Sequence, residues 1–375
     1  MASRVAASEA SRVAASEASR VAASEASLVA APDKFRGTMS ARQAAGAIAA
    51  GAARSGWSTL ELPLADGGEG FLDVLEAAGG RRRSLVVDGP LGAPVDAEWL
   101  EWGDVAVIEM ARASGLALVG GAEGNDPLRA DTRGTGQLIV EAARWLGGRS
   151  STTGASGTIL VGLGGSATSD GGSGAVAVIE EAGGLGAVEL VGACDVDVRF
   201  FEAADRFGPQ KGASEAQVTE IGARLHRVAD TYQATFGIDV RAVPGGGAAG
   251  GLGGAIVALG GRLRSGFDLV AELTGFRDVV GTGQLVVTGE GSFDGTSLAG
   301  KVVGSVLAEA SRRDVPALVV AGRTTAEACR TAEASGAVVI SLTERFGERR
   351  SLEDTAWCIE EAVASHLERV APGGG

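Results

Sequence analysis

The sequence predicts an α/β protein of two domains, and three observations lead to that prediction. From residue 27 onward, apolar segments of strand length alternate with segments of helical periodicity, as in layered α/β folds. Glycine-rich loops separate many of these segments. The chain has 375 residues, 45% of them hydrophobic, so it can bury a large core and is long enough for two domains.

Both ends of the chain carry the pattern of a buried parallel sheet. Ser40 is the predicted N-cap of a helix that continues to about Arg54. Further helices are predicted at about 302–313, 325–334 and 352–370. The predicted strands are Leu28–Ala31, Thr59–Leu62, Leu285–Thr288, Ala317–Ala321 and Ala337–Leu342. We expect residues 27–86 and 285–375 to form one discontinuous parallel-sheet domain.

A second α/β domain with a mixed sheet is expected as an insertion over residues 87–284. Val95–Trp102 and Val105–Met110 predict a hairpin around Gly103-Asp104. Thr158–Val161 predicts a strand that leads into a glycine loop and then a helix from about Ala175.

The first 26 residues are predicted to be an appendage without a fold. The segment Ala-Ser-Arg-Val-Ala-Ala-Ser-Glu occurs at 2–9 and again at 10–17 and 18–25. It has little apolar content to bury and lacks the apolar centre of a secretion signal.

Charge and cysteine content narrow the class of protein. A net charge of -14 argues against nucleic acid or an anionic membrane surface as a partner, because phosphate backbones are bound through basic patches. Three cysteines without a CxxC motif predict a reducing compartment, and no apolar run reaches the roughly 18 to 20 residues of a membrane span. We expect a soluble, cytoplasmic protein that acts on small molecules. The sequence does not decide whether it is a monomer or a homodimer.

Lysine is used sparingly in this chain. Of the 33 Lys and Arg residues only Lys34, Lys211 and Lys301 are lysine, and each lies in a polar turn that contains glycine. A compact, mobile ammonium suits phosphate binding. The alternative is that these three lysines remain in loops by chance and have no function there.

The glycine loop at 162–174 predicts an anion site. A strand, a glycine loop and a helix N-terminus direct several N–H groups at one point, which suits a phosphate, and Gly164 and Gly165 lie in this loop. Ser166 and Thr168 add hydroxyl donors, and Asp170 is a candidate to hold a cation or accept a proton. The loop also fits a loose GxGxxA dinucleotide pattern, and a tight strand-to-helix turn without function is the alternative.

A second loop, Gly295–Lys301, fits the phosphate-loop pattern GxxxxGK except that Val302 replaces the hydroxyl residue that holds Mg²⁺. Either the match is accidental or a carboxylate supplies the metal ligand, for which Glu290 and Asp294 are candidates.

Acidic residues in polar loops complete the candidate site. Asp66 follows a predicted strand, at the end where α/β proteins bind ligands, and Asp195 and Asp197 follow an apolar run at a spacing that suits one cation. Each could instead cap a helix or a turn. His226 and His366 lie outside every glycine motif, which argues against histidine-based chemistry.

Ten segments in order give the chain a specific resemblance to a known family. Over residues 28–345 it resembles the bacterial two-domain glycerate kinases, type 1. The matching segments read APDKFRGTMSA, LPLADGGEG, DGPLGAPV, VIEMARASGLAL, TRGTGQL, VGLGGSATSDGG, ACDVD, FGPQKGAS, PGGGAAGGLGG and VTGEGSFDG…GK. The resemblance implies ATP-dependent phosphorylation of D-glycerate, with a Rossmann-like domain and a distinct α/β domain.

The chain also departs from the family pattern. Arg36 stands where the family has lysine, and Lys34 adds a cation two residues earlier. Thr296 replaces a glutamine, and Val303 replaces a proline. The segment 175–188 is shorter than in the family, and Val198-Arg199-Phe200 replaces Asn-Pro-Leu. These changes affect substrate identity more than the phosphate chemistry.

The resulting hypothesis is a kinase with ATP and Mg²⁺ as cofactors and glycerate as the first substrate to test. Phosphoryl transfer needs positioning, charge neutralisation and a base near the acceptor hydroxyl. The glycine loop with Lys211 and Lys301 is assigned to nucleotide phosphates, and Asp195 or Asp294 to Mg²⁺. The substrate is assigned to Asp33, Lys34, Arg36 and Asp66, and the base is Asp66 or Asp195. The alternatives are an NAD-dependent hydroxy-acid oxidoreductase and a non-catalytic sensor of glycerate or another hydroxy acid.

Overall fold

The structure, a computed structural model, describes residues 26–153 and 157–370, and within 149–153 it describes the main chain only. Its strands are β1 (Ser27–Ala30), β2 (Ser58–Glu61), β3 (Arg81–Asp88), β4 (Pro94–Trp102), β5 (Val105–Glu109), β6 (Thr158–Gly162), β7 (Glu189–Ala193), β8 (Arg262–Arg264), β9 (Leu285–Phe293), β10 (Ala317–Thr324) and β11 (Val338–Ser341).

The α-helices of the same residues are α1 (Ala41–Arg54), α2 (Phe71–Ala77), α3 (Ala111–Ser114), α4 (Arg133–Thr153), α5 (Ser173–Glu181), α6 (Ala203–Phe207), α7 (Glu215–Phe236), α8 (Leu252–Ala258), α9 (Gly266–Thr274), α10 (Phe276–Val279), α11 (Val302–Ser311), α12 (Ala326–Ala334), α13 (Leu342–Phe346), α14 (Glu348–Glu353) and α15 (Thr355–Val370). Short 3₁₀ helices lie at Leu116–Val119, Phe200–Glu202, Pro209–Lys211 and Ala248–Gly251.

The described chain divides into two compact units. The mixed-sheet unit comprises residues 66–269, and the parallel-sheet unit comprises residues 26–65 and 270–370. The α/β class is confirmed, with one parallel and one mixed sheet.

The parallel-sheet unit is built on five strands in the order β11-β10-β9-β1-β2, and every neighbouring pair is parallel. Apolar residues fill the central strands, because both faces of such a sheet are covered by helices. Its core packs α1 and α15 against the sheet through residues such as Leu28, Ile48 and Ile359. The predicted helix at 352–370 is present as α14 followed by α15.

The mixed-sheet unit is built on six strands in the order β3-β4-β5-β6-β7-β8. The predicted hairpin at Gly103-Asp104 is confirmed, since β4 and β5 are antiparallel, whereas β5 to β8 run parallel. Trp99, Ile108, Leu138 and Ile159 belong to its core.

The boundaries between the units differ from those expected at 86 and 284. Residues 66–86 belong to the mixed-sheet unit, because β3 pairs with β4 along its whole length, from Arg81 opposite Glu101 to Asp88 opposite Pro94. Residues 270–284 join the parallel-sheet unit. The three tandem repeats at 2–25 lie outside the described residues.

Candidate active site

The glycine loop joins β6 to α5, as the sequence indicated, but a carboxylate of the protein already occupies the helix N-terminus. Asp170 accepts hydrogen bonds from the backbone N–H groups of Gly172 (3.2 Å) and Gly174 (3.0 Å). It also accepts from the N–H and hydroxyl groups of Thr132, at 3.1 and 2.8 Å, and the Thr132 hydroxyl accepts from Ala175 N–H. The first free N–H groups of α5 are therefore satisfied internally.

This arrangement corrects two expectations from the sequence. The helix N-terminus of α5 is not an open anion site, because Asp170 fills the role that a bound phosphate would have. Asp170 is 3% exposed and accepts four hydrogen bonds, so its carboxylate has a structural role rather than that of a cation ligand or a base.

The turn before Asp170 is held by three side-chain donors that bind its carbonyl groups. The Asn125 amide donates to Ala167 O at 3.0 Å, the Lys211 ammonium to Thr168 O at 2.6 Å, and the Arg224 guanidinium to Ser169 O at 2.6 Å. Three consecutive carbonyls are thus bound by side chains from three separate segments of the chain.

Lys211 lies deep beneath this turn. It is 3% exposed, and its ammonium lies 5.9 Å from the centre of the Phe207 ring. Burial lowers the pKa of the Lys211 ammonium to about 7, an effect that the negative charge of Asp170 opposes. The structure therefore places this lysine against the loop backbone.

The other candidate residues of the loop lie in a crowded turn. Ser166 is 8% exposed and Thr168 is fully buried, with its hydroxyl 3.4 Å from Ala249 O. Gly165 has a φ of +74°, which favours glycine. A Cβ at Gly164 would lie 2.5 Å from Gly68 Cα, so the Asp66–Gly70 loop approaches the glycine loop backbone to backbone. The structure thus brings two of the predicted motifs together within the mixed-sheet unit.

Asp66 and Asp195 form a carboxyl pair beside these loops. Asp195 follows β7 and accepts hydrogen bonds from Gly266 N–H (3.0 Å) and Phe267 N–H (3.3 Å), at the start of α9. Asp66 accepts from Gly68 N–H at 3.1 Å, and its carbonyl would lie 2.1 Å from a Cβ at Gly266. Both aspartates therefore cap a turn or a helix, and both lie beside Gly266.

Burial raises the pKa of the Asp195 carboxyl to about 6, and the nearby charge of Asp66 acts in the same direction. Hydrogen bonds from the Ser265 hydroxyl and from the two N–H groups of α9 limit the rise. A carboxyl with this pKa is largely ionised at neutral pH and basic enough to accept a proton. Asp197, two residues later, is exposed.

A second charged cluster lies in the parallel-sheet unit, where β1 and β9 end. Asp33 is 8% exposed, its N–H donates to Gly289 O at 2.9 Å, and the Lys34 ammonium lies 3.6 Å from its Oδ1. Burial raises the pKa of Glu290 to about 7; Asp33 adds to the rise, whereas Ser297 and Lys301 oppose it. Arg36 is exposed in the turn that Phe35 and Met39 close.

The loop that resembles a phosphate loop belongs to this second cluster. It runs from the end of β9 to α11, with Lys301 at the N-cap position. The Lys301 ammonium donates to the Thr296 hydroxyl at 3.2 Å. That hydroxyl and the Thr296 N–H donate to Asp294 Oδ1 at 2.7 and 2.8 Å, and these bonds lower the pKa of Asp294.

The predicted metal ligands do not form a complete cage. Within residues 26–153 and 157–370, no three His, Cys, Asp or Glu side chains are arranged to hold a metal ion. Mg²⁺ needs only one or two carboxylates when phosphate oxygens and water complete its shell. Glu290 fits that need, because its Oε1 is buried without a hydrogen-bond partner.

Sequence analysis missed the two side chains that share the loop with Lys211. Asn125 lies in the polar turn Gly124-Asn125-Asp126-Pro127, which is a weak signal. Arg224 lies inside α7, and no local pattern distinguishes it from the other arginines of that helix. The two histidines make other contacts, since His226 is stacked on Phe201 and His366 is buried in α15.

Comparisons with known proteins agree with this architecture. The model of the glycerate kinase family matches residues 28–182 and 179–371. A Mycobacterium tuberculosis protein without an assigned function is 40% identical over 362 residues, which is 92% of either chain. The glycerate 2-kinase of Escherichia coli K12 is 38% identical over 331 residues, 78% of this chain and 84% of its own.

A solved structure from Salmonella typhimurium LT2, assigned as a glycerate kinase 2, superposes with a TM-score of 0.74 at 30% identity. The match covers 92% of this chain and 98% of the Salmonella chain. In the part of the chain that the structure describes, no helix is both long and apolar enough to cross a membrane.

Proposed function

This chain belongs to the glycerate kinase family, and we propose on that premise that it transfers the γ-phosphoryl group of ATP to D-glycerate. The match to the family over both halves of the chain carries the proposal. A reaction that uses a nucleotide follows from the family, whereas ATP as that nucleotide and Mg²⁺ as the metal are part of the proposal. We extend it to the 2-hydroxyl group, because the relative in Escherichia coli is named a glycerate 2-kinase.

Asp195 is the proposed base. As the substrate hydroxyl attacks, its oxygen forms a bond to the γ-phosphorus, its proton passes to the Asp195 carboxylate, and the bond between that phosphorus and the bridging oxygen of ADP breaks. The pKa of about 6 supports this role, because the group is ionised at neutral pH yet still a competent acceptor. Asp66 beside it is the proposed hydrogen-bond partner of the substrate.

Lys301 and the less buried part of the glycine loop, Gly164 and Gly165, are the proposed phosphate-binding groups, since Asp170 fills the N-terminus of α5. Lys301 is partly exposed and mobile enough to follow a phosphate, whereas buried Lys211 is proposed to act by fixing the loop. Lys34 and Arg36 are proposed to bind the substrate carboxylate, with Asp33 orienting Lys34.

Asp294 and Glu290 are the proposed ligands of Mg²⁺, since both present carboxylate oxygens near Lys301. When bound, the ion would neutralise charge on the phosphate oxygens. Hydrogen bonds from Ser265, Gly266 and Phe267 leave about one lone pair on the Asp195 carboxylate, and we assign that lone pair to the substrate proton and not to the metal.

An assay with defined product identity tests the proposal. The purified protein is incubated with ATP, Mg²⁺ and D-glycerate. The product is then detected with enolase, which accepts 2-phosphoglycerate directly, in parallel samples with and without phosphoglycerate mutase. Product that enolase consumes without mutase is expected. Product that appears only with mutase would move the reaction to the 3-hydroxyl, and no ADP formation with D-glycerate would reject the proposal.

The two alternative functions gain no support from the comparisons. The same assay excludes them directly when other hydroxy acids and NAD⁺ are included. A sensor would bind glycerate without forming ADP, and an oxidoreductase would reduce NAD⁺ in the absence of ATP.

A further inference from the structure

Asn125, Lys211 and Arg224 donate hydrogen bonds to the backbone of the glycine loop, and Arg224 makes the most hydrogen bonds of the three. Its guanidinium donates to Ser169 O at 2.6 Å, to Leu128 O at 2.8 Å and to Pro127 O at 3.3 Å. It therefore ties the glycine loop to the segment before α4.

This pattern of bonds is unusual for an arginine. In the described residues the hydrogen bonds of Arg224 go to main-chain carbonyls, and no carboxylate lies within ion-pair distance of it. Arginine normally satisfies its fork of donors with a carboxylate or a phosphate. A guanidinium that spans three carbonyls from two segments holds the backbone of both segments in one arrangement.

The bonds also fix the direction of the loop amides. In a trans peptide the N–H group points opposite to the carbonyl of the same peptide plane. Because Asn125, Lys211 and Arg224 bind the carbonyls of Ala167, Thr168 and Ser169, the N–H groups of the next residue in each case point away from those donors. Those N–H groups belong to Thr168, Ser169 and Asp170, which are at most 3% exposed, so a ligand does not reach them directly. Their fixed directions hold the turn in one conformation, and with it the more exposed Gly164 and Gly165 just before it, whose backbone can approach phosphate oxygens without reorganisation.

We infer that Arg224, together with Asn125 and Lys211, is a positioning residue that preorganises the glycine loop for the phosphates of the nucleotide. The inference rests on the proposed function for the loop, but it concerns residues that do not themselves contact the nucleotide. Loss of Arg224 should weaken nucleotide binding and leave the glycerate site unaffected.

Arg224→Met with Arg227→Met as its control tests the inference. Both changes remove one arginine charge from α7, and Arg227 is exposed one turn away. We expect the Kd for ADP, measured by calorimetry, and the KM for ATP to rise by about tenfold or more in Arg224→Met. Without Arg224 the loop backbone must be ordered when the nucleotide binds, which lowers the binding free energy. The KM for glycerate should stay within about twofold of the parent, and Arg227→Met should resemble the parent in every constant.

Two further variants guard against a simple loss of folding. Arg224→Lys keeps the charge but lacks the fork that spans three carbonyls, so it should fall between the parent and Arg224→Met. Asn125→Ala loosens the loop from another segment, by removing bonds to Ala167 O and Lys211 O, and should also weaken ADP binding.

Binding and turnover separate this inference from the proposed function. If the parent phosphorylates glycerate but the Kd for ADP is the same in Arg224→Met and Arg227→Met, the inference is wrong and the function stands. If the parent binds ADP and Arg224→Met weakens that binding while no glycerate is phosphorylated, the function is wrong and the inference stands. A parent that binds no ADP would overturn the inference as well.

Discussion

Asp170 illustrates what a single residue reveals only in three dimensions. Its position in the glycine loop made it a candidate to hold a cation or accept a proton, but its structural role depends on Thr132, which is 38 residues earlier in the chain. Lys211 is similar, since its rarity as a lysine drew attention, but its burial depends on contacts with Thr168, 43 residues away. Residue type and local spacing indicate that a polar side chain has a specific role. Long-range contacts decide whether that role is structural or ligand binding.

Asp195→Asn tests the proposed base. The variant keeps the shape of the side chain but loses one of the two hydrogen bonds from α9, because an amide nitrogen does not accept, so the free energy of unfolding should fall by about 1 kcal/mol. Its kcat should fall at least about 100-fold, because an amide does not accept the proton. Asp205→Asn, an exposed aspartate in the same unit, should keep kcat within about twofold of the parent.

The pH dependence of the parent enzyme belongs to the same test. The carboxyl of Asp195 is the active form when ionised, and its pKa is raised to about 6. The kcat should therefore decline as pH falls through about 6 and reach a plateau above it. A parental profile that stays flat from pH 5 to 8, or a kcat of Asp195→Asn close to that of Asp205→Asn, would contradict the assignment.

At the level of elements, the sequence predicted those helices and strands whose stability comes from interactions between neighbouring residues. Ser40 and Gln43 form a reciprocal capping box, so the start of α1 could be predicted from the sequence. β3 was not predicted, because it begins with three arginines and much of it is exposed. Only its pairing with β4 and the ion pairs of Arg82 with Asp73, Glu76 and Glu98 make it a strand of this sheet.

The contact between α10 and α11 depends on one buried carboxylate. Glu309 is 2% exposed and pairs with Arg277, Arg312 and Arg313. Although burial raises the pKa of Glu309, the arginines outweigh that effect and hold it below its usual value. Glu309→Gln should lower the free energy of unfolding by about 2 to 3 kcal/mol, since the partly exposed arginines lose their partner.

Glu353→Gln is the matched control, because Glu353 is 66% exposed and lies 3.8 Å from Arg349. An exposed pair of this kind contributes less than about 0.5 kcal/mol. Urea unfolding monitored by circular dichroism measures both variants. Equal free energies of unfolding for the two would show that the buried ion pairs do not stabilise this contact.

For the whole molecule, the alternation of strand and helix patterns predicted the α/β class and the order of the motifs predicted the family, but neither predicted the boundaries of the units. Those boundaries depend on which strands pair, and no local pattern indicates that β3 pairs with the mixed sheet. The glycine, lysine and acidic residues of its loops predicted where the candidate site lies. That Lys211, Asn125 and Arg224 bind three consecutive carbonyls could be seen only in the folded chain.

Removal of residues 2–25 tests whether the whole chain is needed for activity. The family match begins at residue 28 and the first strand at Ser27, so kcat/KM should stay within about twofold of the full chain. Steady-state kinetics of the two proteins side by side measures the effect. A tenfold loss, which corresponds to about 1.4 kcal/mol of transition-state stabilisation, would show that the repeats take part.

The pairing of β1 with β9 has a consequence for synthesis on the ribosome. Thr288 donates a hydrogen bond to Ala31 across 257 residues of chain, and β1 lies between β9 and β2 in the sheet. Residues 66–269 are continuous and can fold as soon as they emerge, whereas β1 must wait for β9 to be translated. For most of its synthesis the nascent chain can therefore pair β1 with β2 but not with β9, and the surroundings of Asp33 and Lys34 form only after β9 has emerged.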